Sequence, residues 1–253
     1  MLFLKRLSAT ILYERVIKYY MASKDSASFN PKDEKPDYKT IYGEVVKLFK
    51  KTTYFHHGPF DETYYTLRVY ETCKKIIKEL QKKEIRKNIV FTAAILHDVG
   101  KIKLKTSKMF GKEGFKQGAH YEWYKHANYS VEIAERILEK HGHSKHFISE
   151  VSFLIQNHDR RKHKIKNKTL ELQVLQDADL ISDCGFSGFI RPFLFSGMFN
   201  QSIINSIKYV GGEDRIGDNL NLVVSKQIAK KEMKLQRDLA KKMLKHIKSD
   251  ILK

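Results

Sequence analysis

The sequence contains little of what several protein classes require. Only 2 of its 253 residues are cysteine, and Cys73 and Cys184 are too far apart for a cysteine-rich metal site. A disulfide framework is excluded on that count, and a reducing, cytoplasmic location is expected. With 4 prolines and 13 glycines, the chain has too few turn residues for a β-sandwich or a β-barrel. No apolar run reaches the ~20 residues of a transmembrane helix.

What the sequence does have is positive charge, with a formal net charge of +19. This favours a polyanionic partner, whether a nucleotide, a nucleic acid or a membrane surface. The alternative is a surface that uses lysine for solubility, because the lysines are spread along the chain. The sequence contains no recognised nucleic-acid-binding motif, so a nucleic-acid partner rests on charge alone.

The chain is predicted to have two parts. Residues 1–22 are basic, with one acid at Glu14, and they read as an organelle-targeting peptide or as a docking helix. A polar segment with Pro31 and Pro36 follows and is typical of a linker. We therefore expect an N-terminal basic helix and linker over residues 1–37 and a single main domain over residues 38–253.

From Tyr38 onward the spacing of apolar residues predicts an all-α fold, a helical bundle. Asp61 is predicted to cap a helix whose inner stripe runs from Tyr65 to Leu80. Residues 89–96 (IVFTAAIL) are apolar on nearly every face, which predicts a buried central helix that Gly100 terminates. The glycine- and lysine-rich stretch that follows, as far as Tyr124, is predicted to be a loop.

Three further helices are predicted, and each carries a polar side chain on its apolar stripe, at His126, His158 and Asp179. Gly142 is expected to end the first of them and Ser144 to cap the second. Residues 185–212 are expected to be irregular or to form short helices. A long C-terminal helix is predicted last, with an inner stripe of Leu235, Leu239, Met243, Ile247 and Ile251.

Ionisable residues on buried stripes point to a metal site. His97 and Asp98 end the most apolar helix, and an ionised carboxylate there is costly unless it is paired or bound to metal. His126, His158 and Asp179 follow at intervals of about one helix and one loop, so an antiparallel bundle would bring all five residues to one level. A lone inward histidine is more often an ordinary core residue, but here the polar residue recurs on every such helix. Imidazole and carboxylate ligands without cysteine suit Mn, Fe, Co, Ni or Mg.

Crowded carboxylates in such a site are expected to have raised pKa values, because burial and like charge both disfavour ionisation. Binding of a metal should then release protons and stabilise the fold.

Four segments resemble the HD superfamily of metal-dependent phosphohydrolases. LHDVGK at residues 96–101 looks like the family signature, and HANYSVEIA from His126 and LIQNH ending at His158 resemble later family segments. QDADLISDCGFSGFIR from Gln176 is similar to a segment of small stand-alone bacterial HD hydrolases. The resemblance runs from about Asp61 to Arg191. It implies an HD-type helical bundle, a divalent metal, and hydrolysis of a phosphate ester or anhydride, often of a nucleotide.

The resemblance also implies roles for individual residues. His97, Asp98 and Asp179 are expected as metal ligands, with His126 and His158 as ligands of a second metal or as phosphate contacts and proton donors. Asp98 or an outer histidine would accept the proton of the attacking water. Further candidate ligands are Asp177 and His57. The residues expected to neutralise substrate phosphate are Arg68, Lys101 and Arg191.

One position departs from the family pattern. Tyr65 stands where the family has its first ligand histidine, and a tyrosine with a pKa near 10 is a poor ligand for Mn or Mg. Either His57 replaces the missing imidazole, or the site is catalytically weakened, or the protein is non-catalytic and binds nucleotides or an acidic partner. The basic C-terminal helix, with ten Lys/Arg against three acids over residues 226–253, fits the last alternative. In every case the Tyr65 ring is expected to face the site.

Overall fold

A computed structural model describes the residue ranges 34–52, 60–81, 84–105, 109–111, 114–115, 119–161, 165, 168–198, 202–212 and 216–250. The predictions for the N-terminal helix and for His57 and Ile251 fall outside these ranges. Glu34, in the predicted linker, accepts hydrogen bonds from the backbone amide of Ser144 and from His143, so the chain already contacts the bundle before Tyr38.

The described residues form an all-α fold, with one pair of two-residue antiparallel strands. In chain order the helices are α1 (Tyr38–Phe49), α2 (Glu62–Leu80), α3 (Lys87–Leu96), α4 (Ala119–Trp123), α5 (Lys125–Lys140), α6 (Lys145–Asn157), α7 (Leu170–Ser182), α8 (Gly185–Met198), α9 (Ile203–Gly211) and α10 (Val223–Asp250). A 3₁₀ helix, Val99–Lys103, follows α3, and another, Gly217–Asn219, precedes α10. The strands β1 (Phe110–Gly111) and β2 (Gly114–Phe115) lie between the first 3₁₀ helix and α4.

Helix α3 is the centre of the bundle, as its sequence predicts. It packs against α1, α2, α6 and α7. Seven of its ten residues are buried, including Ile89, Val90 and Leu96, which are fully enclosed. Because α3 is covered on all sides, the two residues that follow it, His97 and Asp98, are also placed in the interior.

The predicted helix ends are confirmed at three positions. The Asp61 carboxylate accepts hydrogen bonds from the backbone amides of Thr63 and Tyr64 at the start of α2. The Ser144 hydroxyl accepts one from the amide of Phe147 at the start of α6. Gly142 follows α5 with a φ of +75°, a conformation that glycine adopts without steric cost.

The prediction for Gly100 is wrong. Helix α3 ends at Leu96, and Gly100 lies inside the 3₁₀ helix. What requires glycine there is the close approach of α5, because a Cβ on Gly100 would lie 2.3 Å from the carbonyl oxygen of His126 and 2.3 Å from the amide nitrogen of Ser130. The stretch after Gly100 also departs from the predicted loop, since it contains β1, β2 and α4.

The C-terminal third differs from the sequence prediction in two ways. Residues 185–212 contain the 14-residue helix α8 and the 9-residue helix α9, although α8 includes Pro192. On the long helix α10, Leu235 is exposed, whereas Met243 and Ile247 of the predicted stripe pack against a buried cluster. The buried positions of α10 are Ser225, Ala229, Met233 and Ala240, and three of these four side chains are small, which lets α8 and α9 pack closely against the helix. Among the described helices, none combines the length and the apolar character that crossing a membrane requires.

Candidate metal centre

The structure brings the five predicted site residues together. His97 and Asp98 follow α3, His126 lies in the first turn of α5, His158 follows α6, and Asp179 lies in α7. All five side chains are buried. The site is therefore assembled from the ends of four elements that pack around the core, as the spacing along the chain predicts.

The donor atoms of these residues lie within contact distance of one another. The His97 Nε2 atom is 3.2 Å from Asp98 Oδ2 and 3.3 Å from Asp179 Oδ1. On the other side of Asp98, its Oδ1 atom is 3.4 Å from His126 Nε2 and 3.6 Å from His158 Nε2. The two imidazoles approach each other, with 3.0 Å between their Nε2 atoms. Asp98 is thus shared between His97 on one side and the pair His126 and His158 on the other.

All three imidazoles are held with Nε2 towards the cluster. The Nδ1 atom of His97 lies 2.9 Å from the carbonyl oxygen of Ala94. That of His126 lies 2.6 Å from the carbonyl oxygen of Trp123, and that of His158 lies 2.6 Å from the carbonyl oxygen of Ile155. Because a carbonyl oxygen only accepts, each Nδ1 carries the proton and donates it, which leaves the Nε2 lone pair free in the neutral ring. Metal-binding histidines are oriented in this way.

The donor set fits a divalent cation. Two overlapping groups, His97 with His158 and Asp179, and Asp98 with His126 and His158, each place three ligand atoms within 4.8 Å of one another. His97 Nε2 is buried and makes no hydrogen bond to a described residue. Two imidazole lone pairs facing each other at 3.0 Å repel unless a proton or a cation lies between them. Nitrogen and carboxylate oxygen without sulfur suit Mn, Fe, Co, Ni or Mg, as predicted.

Gly100 and Ser130 fix the position of His126. The Ser130 hydroxyl accepts a hydrogen bond of 2.8 Å from the backbone amide of Gly100. This contact, together with the missing side chain at Gly100, lets the 3₁₀ helix lie directly on the first turns of α5. The histidine on α5 is thereby brought beside Asp98, which immediately precedes the 3₁₀ helix.

Asp159 and Arg161 complete the cluster, and the sequence reasoning missed both. The Asp159 Oδ2 atom lies 3.3 Å from His126 Nε2 and 4.0 Å from His158 Nε2. Arg161 donates to Asp159 Oδ1 at 2.7 Å and also pairs with Asp179 Oδ2. The repeated His–Asp pair at 158–159 was the available signal, but charged residues just after a helix end usually lie in solvent.

The three predicted phosphate-binding cations lie around one aromatic ring. The Tyr65 ring centre is 4.3 Å from the guanidinium carbon of Arg191, 5.4 Å from that of Arg68 and 5.4 Å from Lys101 Nζ. Two of these cations are already paired in the interior. Lys101 lies 2.6 Å from Asp98 Oδ2, and Glu62 pairs with Lys101 at 3.2 Å and with Arg191 at 2.8 Å.

The prediction of raised carboxylate pKa values is wrong for the aspartates of the cluster. Burial alone would raise the pKa of Asp98, but the charges of His97 and Lys101 hold it well below its usual range. The pKa of Asp179 is likewise lowered against its burial, chiefly by Arg161. Charges of opposite sign outweigh both burial and like charge here.

The pKa values of His97 and His126 are shifted in opposite directions. Burial works against protonation of His97, yet the carboxylates of Asp98 and Asp179 raise its pKa to about 10. For His126 burial dominates and lowers the pKa. The neutral form that binds metal is therefore favoured at His126, whereas at His97 a proton competes with a cation.

Tyr65 faces the site, as predicted. Its hydroxyl lies 2.7 Å from Asp179 Oδ1 and 2.8 Å from the Asp179 carbonyl oxygen. Burial and the charge of Asp179 raise the pKa of Tyr65 well above 10, so the hydroxyl stays protonated and acts as a hydrogen-bond donor.

Asp177 lies outside the cluster. Its carboxylate accepts hydrogen bonds from the backbone amides of Asn221 and Leu222 at 2.8 and 2.9 Å, and from the side-chain amide of Asn221 at 2.7 Å. These residues immediately precede α10, so Asp177 joins α7 to the start of the last helix. Asp179 is two positions further along α7, and on a helix that spacing points the side chains to different faces.

Comparison with known proteins agrees with this geometry. The HD domain family matches residues 63–183, a range that contains all the clustered side chains. Residues 63–183 of this chain form an HD domain. No curated protein matches the chain.

Solved structures share the HD fold at low sequence identity. A predicted HD superfamily hydrolase from an uncultured Thermotogales bacterium is 19% identical, with a TM-score of 0.53 over 83% of this chain and 93% of that one. Bacillus subtilis YpgQ is also 19% identical, with a TM-score of 0.58 over 85% of this chain and 95% of that one. YpgQ in complex with ADP is 18% identical, with a TM-score of 0.54 over 85% and 94%. At these identities the likeness shows the fold.

Proposed function

We propose that this protein is a divalent-cation-dependent phosphohydrolase that acts on a phosphate ester or anhydride of a nucleotide. The observation that carries the proposal is the convergence of three Nε2 atoms and three carboxylates in one cluster in the interior. The cation would be held by this cluster, with Asp98 at its centre. A divalent cation bound there would lower the pKa of the attacking water and would polarise a phosphoryl oxygen.

The protein's own groups account for the remaining requirements of hydrolysis. Water attacks phosphorus, the bond from phosphorus to the leaving oxygen breaks, and the water proton passes to a carboxylate or an imidazole of the cluster. Asp98, His126 and His158 are our candidates for these roles. Proton return from the same groups neutralises the leaving oxygen.

Cations near the cluster would neutralise the phosphate. Arg68, Lys101 and Arg191 are the predicted ones, and Arg161, whose side chain is 17% exposed, joins them. The side chains of Asp159, Arg161 and Asp179 are 16%, 17% and 10% exposed, against 3% or less for His97, Asp98, His126 and His158. Substrate would therefore approach from the side of Arg161.

A nucleotide substrate is favoured by two independent observations. The net charge of +19 suits an anionic ligand. One solved relative of the same fold, YpgQ, was crystallised with ADP. The reducing interior of a cell, where nucleotides are abundant, is the expected location of such an enzyme.

The alternative is a non-catalytic HD protein that binds a nucleotide. It draws on Tyr65, whose hydroxyl occupies an oxygen of Asp179 that a ligand histidine would leave to the cation. Turnover separates the two functions, because a binding protein would retain nucleotide without releasing product.

The test is a screen of phosphate release from nucleoside mono-, di- and triphosphates with Mn²⁺, Mg²⁺, Co²⁺, Ni²⁺ and Fe²⁺. We expect cation-dependent release that Asp98→Asn abolishes. The control is Glu132→Gln, which alters an exposed ion pair with Lys103 and should leave the rate unchanged. Nucleotide binding without turnover by any cation would favour the non-catalytic alternative.

A further inference from the structure

The cluster contains two positions at which a cation could be held, and they share Asp98. The first position lies between His97 Nε2, Asp98 Oδ2 and Asp179 Oδ1. The second lies between Asp98 Oδ1, His126 Nε2, His158 Nε2 and Asp159 Oδ2. The two positions differ in what already contacts their oxygen atoms.

At the first position, the protein's own donors contact the carboxylates. Lys101 Nζ lies 2.6 Å from Asp98 Oδ2. The Tyr65 hydroxyl lies 2.7 Å from Asp179 Oδ1, and the Arg161 guanidinium pairs with Asp179 Oδ2. Two carboxylates are thus balanced by two fixed cations and one hydrogen bond. A metal here would have to displace these contacts, each of which is charge-assisted and at least partly buried.

At the second position, three of the five donor–donor distances match those of a four-coordinate cation, and the other two are within 0.4 Å of them. With bonds of 2.0–2.2 Å, the ligand atoms of a tetrahedral site lie about 3.3–3.6 Å apart. The distances from His126 Nε2 to His158 Nε2, Asp159 Oδ2 and Asp98 Oδ1 are 3.0, 3.3 and 3.4 Å. Those from His158 Nε2 to Asp98 Oδ1 and Asp159 Oδ2 are 3.6 and 4.0 Å.

Arg161 keeps the second position open to a cation while it closes the first. It contacts Asp159 through Oδ1, on the side away from the two histidines, and leaves Oδ2 turned towards them. The carboxylate oxygens that face the two histidines, Asp98 Oδ1 and Asp159 Oδ2, are not the ones that Lys101 and Arg161 contact, which are Asp98 Oδ2 and Asp159 Oδ1. The same guanidinium pairs with Asp179 at the first position.

We infer that this chain binds one divalent cation, between Asp98, His126, His158 and Asp159, and that Arg161 takes the place of a cation beside Asp179. Asp159 is then a ligand, and Asp179 is a partner of Arg161 and Tyr65. The inference rests on the cation-binding part of the proposed function and not on hydrolysis. It also explains how the chain tolerates Tyr65, since a protein donor suffices where no metal is bound.

The test is titration of the full chain with Co²⁺, followed by calorimetry and by the visible absorption of the bound ion, which is strong only in four-coordinate sites. We expect one equivalent with a four-coordinate spectrum. Asp159→Asn should weaken binding by more than the ~10–100-fold typical of residues behind a ligand, and Asp179→Asn should stay within that range or below it. The control is Asp238→Asn, which alters an exposed pair with Lys234 and should have no effect.

Arg161→Met is expected to bind more Co²⁺ than wild type, a result that a misfolded variant would not give. Without the guanidinium, Asp179 is freed at the first position, and we expect two equivalents of Co²⁺ in place of one. Loss of Co²⁺ binding in Asp179→Asn, with unchanged affinity in Asp159→Asn, would overturn this inference but not the proposed function. So would a single equivalent in Arg161→Met. Absence of any cation binding by wild type would overturn the proposed function as well.

Discussion

The Tyr65 hydroxyl donates to Asp179, with 2.7 Å between Oη and Oδ1, where the HD family pattern has a ligand histidine. The ring is enclosed, and three cationic side chains surround it. Tyr65 is therefore a positioning residue that holds Asp179 in one orientation.

Tyr65→His should build a cation site at the first position. The new imidazole would lie beside His97 and Asp179 and add a ligand that the tyrosine hydroxyl does not supply. We expect binding of a second cation equivalent, measured by calorimetry and by metal content after dialysis. Tyr65→Phe, which removes only the hydroxyl, is the matched control and should bind the same number of equivalents as wild type. Identical stoichiometry in Tyr65→His and Tyr65→Phe would contradict the assignment.

Gly100→Ala should destabilise the protein strongly, because the new methyl group would lie 2.3 Å from backbone atoms of His126 and Ser130. Overpacking of this kind costs about 1–3 kcal/mol or more in the free energy of unfolding. Gly43→Ala is the control: its Cβ meets nothing within 4 Å in the middle of α1, so alanine should stabilise by up to about 1 kcal/mol. Urea denaturation measures both, and equal stabilities for the two variants would refute the packing argument.

Asp177→Ala should weaken the fold without weakening cation binding. The carboxylate satisfies two backbone amides at the start of α10, and leaving buried donors unpaired costs about 1–3 kcal/mol. Urea denaturation should show that loss, while calorimetric affinity for Co²⁺ stays at the wild-type value. A large fall in affinity with intact stability would return Asp177 to the metal site.

The Glu171–Arg86 pair should make stability depend on pH in the acid range. Burial raises the pKa of Glu171, but hydrogen bonds from Arg86 at 3.1 and 3.3 Å outweigh it and lower the pKa below 4.5. A depressed pKa contributes stability that is present above the unfolded value and lost as pH falls through the folded value. Glu171→Gln should therefore be less stable than wild type at about pH 7, by about 1–2 kcal/mol, and nearly equal at about pH 3. Urea denaturation at both pH values measures the difference between the variant and wild type. A difference in urea midpoint that is as large at the lower pH as at the higher one would contradict this prediction.

The sequence predicted the bundle and five site residues because burial and polarity conflict visibly there. A histidine or aspartate on a continuous apolar stripe is exceptional, and four helices repeat the exception. His97 and Asp98 are the clearest case, since they follow a helix that is apolar on every face.

Other features depend on tertiary contacts that the sequence does not reveal. Asp159 and Arg161 follow a helix end, where charge usually marks solvent. Glu62 sits beside the capping residue Asp61 and reads as ordinary helix N-terminal charge, yet it joins Lys101 and Arg191 in the interior. In α8, packing of Phe189 and Phe193 against α9 and α10 stabilises a helix of 14 residues in a glycine-containing segment that was predicted to be irregular or to form short helices.

The most direct test of the central claim, that the buried histidine and aspartate cluster is a cation centre, is the melting temperature of the full chain with and without Mn²⁺. Cation at about 100 times its dissociation constant should add about 2.7 kcal/mol to the free energy of unfolding. For a domain of this size that corresponds to a rise of roughly 5–10 °C. Asp98→Asn, which removes the charge shared by both positions, should show no such rise. A wild-type melting temperature that no divalent cation changes would contradict the account.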